Sequence, residues 1–339
     1  GGIAEVMDMR AVIEGRARMN AILSAGRASG KPIHGHARSL AGADLQAFVT
    51  AGISSDHEIV SGDDLLQKLR AGLTIELRGS HDHLLPECVA ALNTLPQLPQ
   101  TLTLCTDDVF PDDLFAAGGL DDVVRRLVRY GMKPEWALAA ATFNAARRIG
   151  RDDLGLIAPG RRADIVLFED LSAFRARLVL ASGRIVAKDG ALTRPAPEID
   201  AAPLTASMHL APLAENDFRI PCAGSEATVA LIAKPRFTEW DEAVAKVEDG
   251  FVVPPEGTTL IAVAHRHGRA DCRPRVGLLS GWGDWRGALA ATVSHDSHNL
   301  TVFGGNARDM AVAANAVIAA GGGMAVAADG KLLAALELP

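Results

Sequence analysis

Across the first 150 residues, short apolar runs closing on polar or ionisable residues alternate with stretches of helical period. GGIAEV (1–6), KPIHGHA (31–37), ISSDHEIV (53–60), LTIELRG (73–79) and TLTLCTDD (101–108) read as five strands. RAVIEGRARMNAILSAGRASG (10–30), AGADLQAFVTAG (41–52), SGDDLLQKLRAG (61–72), LLPECVAALNTL (84–95), LDDVVRRLVRYG (120–131) and KPEWALAAATFNAARRIG (133–150) read as helices, with Ser61 and Asp64 making a capped start to the third. Strands alternating with helices form parallel βα units. The residues that end the strands are Glu5, His36, His57, Arg78 and Asp107. In a (β/α)8 barrel they would share the carboxyl-terminal rim, where active sites form. The plainer reading makes each a turn residue or helix cap; five in register on successive strands favour a site.

The stretch IHGH (33–36) limits which strands of a barrel these are. Were His34 and His36 the opening metal motif of a barrel hydrolase, Asp107, 71 residues later, would have to close the barrel. A βαβ unit takes about 30 residues, so six or seven more units cannot fit between them. A later strand is expected. Residues two apart on a strand share a face, so geometry admits both histidines. Position nearer the rim selects His36 as a ligand and leaves His34 packing behind it. Glu5, His36, His57 and Asp107 then combine imidazole and carboxylate donors, which suit Zn, Fe, Mn or Co and are too nitrogen-rich for Ca. Two histidines and two carboxylates are few for one closed site. They fit part of a two-metal site with further ligands upstream, the ions about 3.5–4 Å apart.

Beyond Gly150 the texture changes. LGLIAPGRRADIVLFED holds a Pro-Gly turn and a strand, and RARLVLASGRIVAKDG two strands joined at Ser182-Gly183. ALTRPAPEIDAAP (191–203), with three prolines, reads as a linker. The expected domains are a barrel portion (1–150), a small β domain (151–196) and an α+β domain (197–339). In the last, SHDSHN (294–299) puts His295 and His298 in a polar burst between two apolar strands, read as a loop feeding the site. Arg266 and His267 are candidates for the same surface. Met310 to Ala328 is uncharged and alanine-rich, but its triple glycine argues for helix, turn and strand rather than a membrane span. With 34 basic against 41 acidic residues and 4% aromatics, the chain shows no nucleic-acid footprint. Four scattered cysteines without a CxxC suit a reduced cytoplasmic protein. The opening residues form a strand pattern already under way, so an excerpt of a longer protein is expected.

Together, Glu5, GHA (35–37), SDHE (55–58), LRGS (77–80) and CTDD (105–108) resemble the amidohydrolase superfamily. AATFNAARRIG and LGLIAPGRRADIVLFED resemble its exit from the barrel into a small β domain. AHRHG, WRGALAATVSHDSHNLTVFG and GGGMAVAADGKLLAALELP are similar to the carboxyl-terminal domain of the bacterial adenine deaminase family. The resemblance covers nearly the whole chain. It implies the carboxyl-terminal portion (strands 4–8) of a metal-dependent TIM barrel, with the family's first His-x-His upstream. It also implies hydrolytic deamination of adenine to hypoxanthine and ammonia by a metal-bridged hydroxide between two divalent ions, Mn or Fe, with Zn also fitting. Glu5 would bridge the ions, His36 and His57 would ligate them, and Asp107 would be both ligand and proton carrier. Arg78, His295 and His298 would contact adenine. Glu58 is a weak candidate for the acid that protonates the ring, since it should face away from His57. His34, Leu77, His81 and His83 depart from the family pattern; His81 and His83 read as polar residues opening a helix. A homodimer in the cytoplasm, free of nucleic acid and membrane, is expected. Two other readings stay open: another amidohydrolase, acting on guanine, cytosine or a cyclic amide, and a catalytically inactive binding relative.

Overall fold

The computed structural model describes residues 2–233, 239–269, 271–295 and 297–338. The chain divides into two compact units, Gly1–Pro197 and Glu198–Pro339.

All five strands expected in the first unit form: β1 (Ile3–Val6), β2 (Ile33–Gly35), β3 (Ser55–Asp56), β4 (Thr74–Arg78) and β5 (Leu102–Cys105). β1 pairs with β2, and β3, β4 and β5 pair in order, every pair parallel. A bond from Ser54 N to Ile33 O at 2.9 Å ties β2 to β3, so the five run as one series. The stretch expected to be one helix over 10–30 is two, α1 (Met9–Ile13) and α2 (Ala17–Ala28). Between them Gly15 takes φ +64°, a left-handed conformation that ends a helix cheaply only at glycine. α3 (Gly42–Thr50), α4 (Gly62–Arg70) and α5 (Leu85–Leu92) follow the next strands. After β5 comes α6 (Pro111–Ala117), which has no counterpart among the expected helices, then α7 (Leu120–Arg129). The helix expected over 133–150 is α8 (Pro134–Ala139) and α9 (Ala145–Arg148) joined through a wide π turn at Ala140–Asn144. Asn144 donates its side-chain amide to Leu102 O (2.8 Å) and Pro99 O (3.1 Å), pinning that turn to the start of β5.

Apolar alternation places Leu73, Ile75, Leu77, Leu102 and Leu104 against Leu65, Leu85, Leu92 and Leu127 of the helices. A second cluster gathers Val6, Leu23, Ile33, Phe48 and Ile53 around β1 and β2. Burying each such side chain contributes roughly 1.5–3 kcal/mol. The rim therefore stands on a packed base. An antiparallel sheet completes this unit: β6 (Ile165–Phe168), β7 (Ala176–Ala181), β8 (Arg184–Lys188) and β9 (Ala191–Leu192). Ser182 and Gly183, at φ +50° and +75°, make the two-residue turn between β7 and β8.

The second unit holds a short α10 (Ala202–Thr205) and strands β10 (Glu226–Ile232), β11 (Trp240–Glu248), β12 (Phe251–Val252), β13 (Thr258–Ala264), β14 (Arg275–Ser280), β15 (Gly287–Ala291) and β16 (Leu300–Gly304). Then come α11 (Ala307–Ala319), β17 (Gly323–Ala328) and β18 (Lys331–Glu337). The nine strands form one sheet in the order β12-β11-β10-β14-β13-β16-β15-β17-β18. Only the β10–β14 pair is parallel. α11 buries Met310, Ala313, Ala314 and Val317 on this sheet, so Met310 to Ala328 is the helix, turn and strand foreseen. Among the described residues no helix is long and apolar enough to cross a membrane.

Candidate metal centre

One ligand atom from each of Glu5, His36 and His57 lies within 4.8 Å of the other two, and among the described residues no other such group forms. Glu5 sits on β1, His36 one residue past β2 and His57 one residue past β3. Glu5 Oε1 lies between the two imidazoles, 2.9 Å from His36 Nδ1 and 3.2 Å from His57 Nε2. The rings meet edge to face with centroids 5.4 Å apart. His36 N donates to Val6 O at 3.2 Å, fixing this loop to β1. Two imidazole nitrogens and a carboxylate oxygen converging from three strand ends fit a divalent transition metal.

Asp107 stands at the edge of this group, its Oδ2 3.8 Å from His57 Nε2. It lies two residues past β5 with φ +58°, a conformation Asp tolerates better than most residues. Its other oxygen, Oδ1, pairs with Arg78 Nη2 at 2.9 Å.

Arg78, the last residue of β4, is buried, and its donors are taken by protein acceptors. Nη1 binds Glu58 Oε1, Nε donates to Ser80 Oγ at 2.8 Å, and Nη2 also reaches Asp108 Oδ2 at 3.3 Å. The adenine contact expected of Arg78 would have to compete with these bonds. Glu58, expected to face away from the site, is buried and belongs to the same network, its Oε2 accepting from Arg38 Nη1 at 2.6 Å.

Behind the rim lies a charged cluster that sequence reasoning missed. Lys68 is fully buried, with Nζ 2.8 Å from Asp56 Oδ2 and 2.9 Å from Asp64 Oδ2, and it donates to Glu58 O at 3.0 Å. Asp56 Oδ1 accepts from Ala37 N (2.7 Å) and Glu58 N (3.0 Å). The available signal was Lys68 on the apolar face of its helix, four residues after Asp64.

His34 turns away from the three-residue group. Its Nδ1 lies 2.8 Å from Arg148 Nη2, 3.2 Å from Ser55 Oγ and 3.4 Å from Glu76 Oε1. His81 precedes the 3-10 turn Asp82–Leu84 that leads into α5, with the His83 ring centroid 5.7 Å from its own. Burial, reinforced by the Arg78 guanidinium, holds the His81 imidazole below its ordinary pKa. His295 and His298 belong to the second unit, both exposed on the β15–β16 connection. There His298 takes φ +48° and donates its N–H to Ser294 O at 2.5 Å. Asp296 of the same segment lies outside the described residues.

Residues 1–186 match the amidohydrolase family, and residues 235–339 match the adenine deaminase C-terminal domain. The chain is 70% identical over 339 residues to adenine deaminase 2 of Rhizobium meliloti (strain 1021), covering 100% of this chain and 57% of that protein. It is 51% identical over 346 residues to the adenine deaminase of Serratia proteamaculans (strain 568), covering 100% and 58%. Among solved structures, a β-aspartyl dipeptidase from Fervidobacterium islandicum AW-1 aligns with TM-score 0.42 and 20% identity, over 58% of this chain and 60% of that one. The chain spans a little over half the length of the curated relatives it matches.

Proposed function

The chain belongs to the amidohydrolase family, and from that premise we propose that it carries rim residues and the C-terminal domain of an enzyme that deaminates adenine to hypoxanthine and ammonia. The observation that carries this reading is the convergence of Glu5, His36 and His57, with Asp107 beside them. The choice of adenine rests on the C-terminal match and on relatives called adenine deaminases, 51–70% identical across the chain.

Glu5, His36 and His57 would hold divalent cations, with Glu5 as the carboxylate shared in a two-ion site, because one of its oxygens already lies between both imidazoles. Mn and Fe are the favoured ions and Zn the next. Cations held there supply positive charge that brings the pKa of water toward neutrality. Hydrolytic deamination needs water to add at C6 of the purine and the exocyclic amine to leave as ammonia. Asp107 Oδ2, turned toward His57, can take the proton of the attacking water and pass it to the departing amine. Arg78 occupies Oδ1, so the carboxylate presents a single oxygen toward His57. Glu58 has both oxygens engaged by guanidinium donors and is placed to hold an arginine rather than to protonate a ring. His295 and His298 are assigned to adenine recognition, a role that a raised KM in their alanine variants would support.

Ammonia release from adenine, guanine, cytosine and a cyclic amide, measured on the full-length protein loaded with Mn²⁺ or Fe²⁺ beside Asp107→Ala, tests this reading. Release from adenine, a metal content of about two ions per chain and a loss of about 10²–10⁴-fold in the variant are expected. A folded, metal-loaded protein inert toward adenine overturns the assignment of substrate.

A further inference from the structure

Four side chains of alternating charge cross the rim from the end of β2 to the end of β5. Arg38 binds Glu58 (2.6 Å), Glu58 binds Arg78, and Arg78 binds Asp107 (2.9 Å). Glu58 is the fixed point of this ladder. Its N–H is held by Asp56 Oδ1 at 3.0 Å and its carbonyl by Lys68 Nζ at 3.0 Å. The clamp is itself braced: Asp64 Oδ2 accepts from both Lys68 Nζ (2.9 Å) and Val60 N (3.0 Å). Burying Lys68, Asp56 and Asp64 together costs desolvation that mutual attraction does not generally recover, so stability alone is a weak reason for the cluster. Its geometric effect is specific. It fixes the backbone of the one residue that grips Arg78 from the side away from Asp107.

We propose that Glu58 is a positioning residue for Asp107, acting through Arg78. This rests on the reading of Asp107 as the proton carrier. A guanidinium is a rigid planar fork, and one contact leaves it free to swing. With Nη1 on Glu58 and Nε on Ser80, the plane of Arg78 is fixed and Nη2 is presented to Asp107 Oδ1. Asp107 then keeps Oδ2 toward His57 despite lying on an irregular, left-handed segment. Loss of Glu58 releases one side of the fork. A misplacement of about 1 Å at a catalytic group can cost about 10²-fold in rate.

The test is a double-mutant cycle in the metal-loaded, full-length protein, with kcat, KM for adenine and metal content measured for Glu58→Gln, Arg78→Gln and the pair. Glu58→Gln should lower kcat by about 10–100-fold while KM and metal content hold. The double variant should be no slower than Arg78→Gln, because a residue acting only through Arg78 has nothing left to act on. Ser80→Ala, which removes only the Nε brace, gives the same comparison in a milder form should Glu58→Gln not fold: a smaller kcat loss, silent once Arg78 is gone. Multiplying losses in the cycle overturn the positioning role, as does a Glu58→Gln enzyme with unchanged kcat or with its loss confined to KM. A wild-type protein that releases no ammonia from adenine is a separate result: it sinks the substrate assignment first, and this role with it.

Discussion

Gly35 shows how closely the rim is packed around its donors. A Cβ there would meet Ile53 Cγ2, Ser55 O at 2.8 Å and Phe48 Cε1 at 2.9 Å. The carbonyl belongs to β3 and cannot swing aside as a side-chain tip can. Gly35→Ala should therefore cost about 1–3 kcal/mol and push His36 off its place beside Glu5, which urea unfolding and metal titration would both record. Ordinary stability with ordinary metal affinity would contradict this. The thiols give a second expectation at this scale. Burial pushes Cys88 and Cys105 up to about 12. Because the thiolate is the nucleophile, iodoacetamide at pH 8 should label Cys222 and Cys272 in the folded protein and reach Cys88 and Cys105 only after denaturation. Mass spectrometry showing early label on Cys105 would refute it. Strand position and alternation were enough to prefer His36 to His34. They could not reveal what Arg78 and Glu58 bind, because partners across strands depend on register and rotamer, which no local pattern encodes.

Elements were legible where pattern and cap agreed. α4 begins at Ser61, whose hydroxyl accepts from Asp64 N at 3.1 Å, as the capping signal implied. Ser61→Ala should cost about 1 kcal/mol, and it would also loosen Asp64, the brace of Lys68. α11 carries a pH-dependent start. Asn306 caps it, and Asp309 accepts from Asn306 Nδ2 (2.8 Å) and Gly330 N (2.6 Å). Burial opposes the Asp309 charge, but these bonds outweigh it and hold the carboxyl below its ordinary range. A depressed folded pKa stabilises the fold above the unfolded value near 4, and that contribution disappears as pH falls through the folded value. Melting of the second unit should therefore weaken below about pH 4. Asp309→Asn should melt lower at neutral pH and vary less with acid. A variant that tracks the wild-type acid profile would remove Asp309 as the cause. Helix interruptions were less legible. The break at Gly15 and the π turn at Ala140–Asn144 sit inside continuous amphipathic patterns, and tertiary bonds such as Asn144 to Leu102 O decide them.

At the scale of the molecule, composition separated the β-rich carboxyl half from the parallel βα series, and compactness groups residues 1–197 apart from 198–339. All three donors of the candidate metal group come from the first unit, delivered by β1, β2 and β3. Metal binding should therefore act on one unit's stability. A ligand that binds only the native state stabilises it by RT ln(1 + [L]/Kd), about 2.7 kcal/mol at a hundredfold excess over Kd. In calorimetry, Mn²⁺ should raise the melting of the first unit and leave that of the second in place. A chelator should reverse the shift, and His36→Ala should abolish it, since the variant keeps the fold but loses a donor facing Glu5. Equal shifts of both transitions would mean that the two units do not melt independently. A metal shift that survives His36→Ala would place the binding elsewhere and remove Glu5, His36 and His57 as the centre around which the rim is organised.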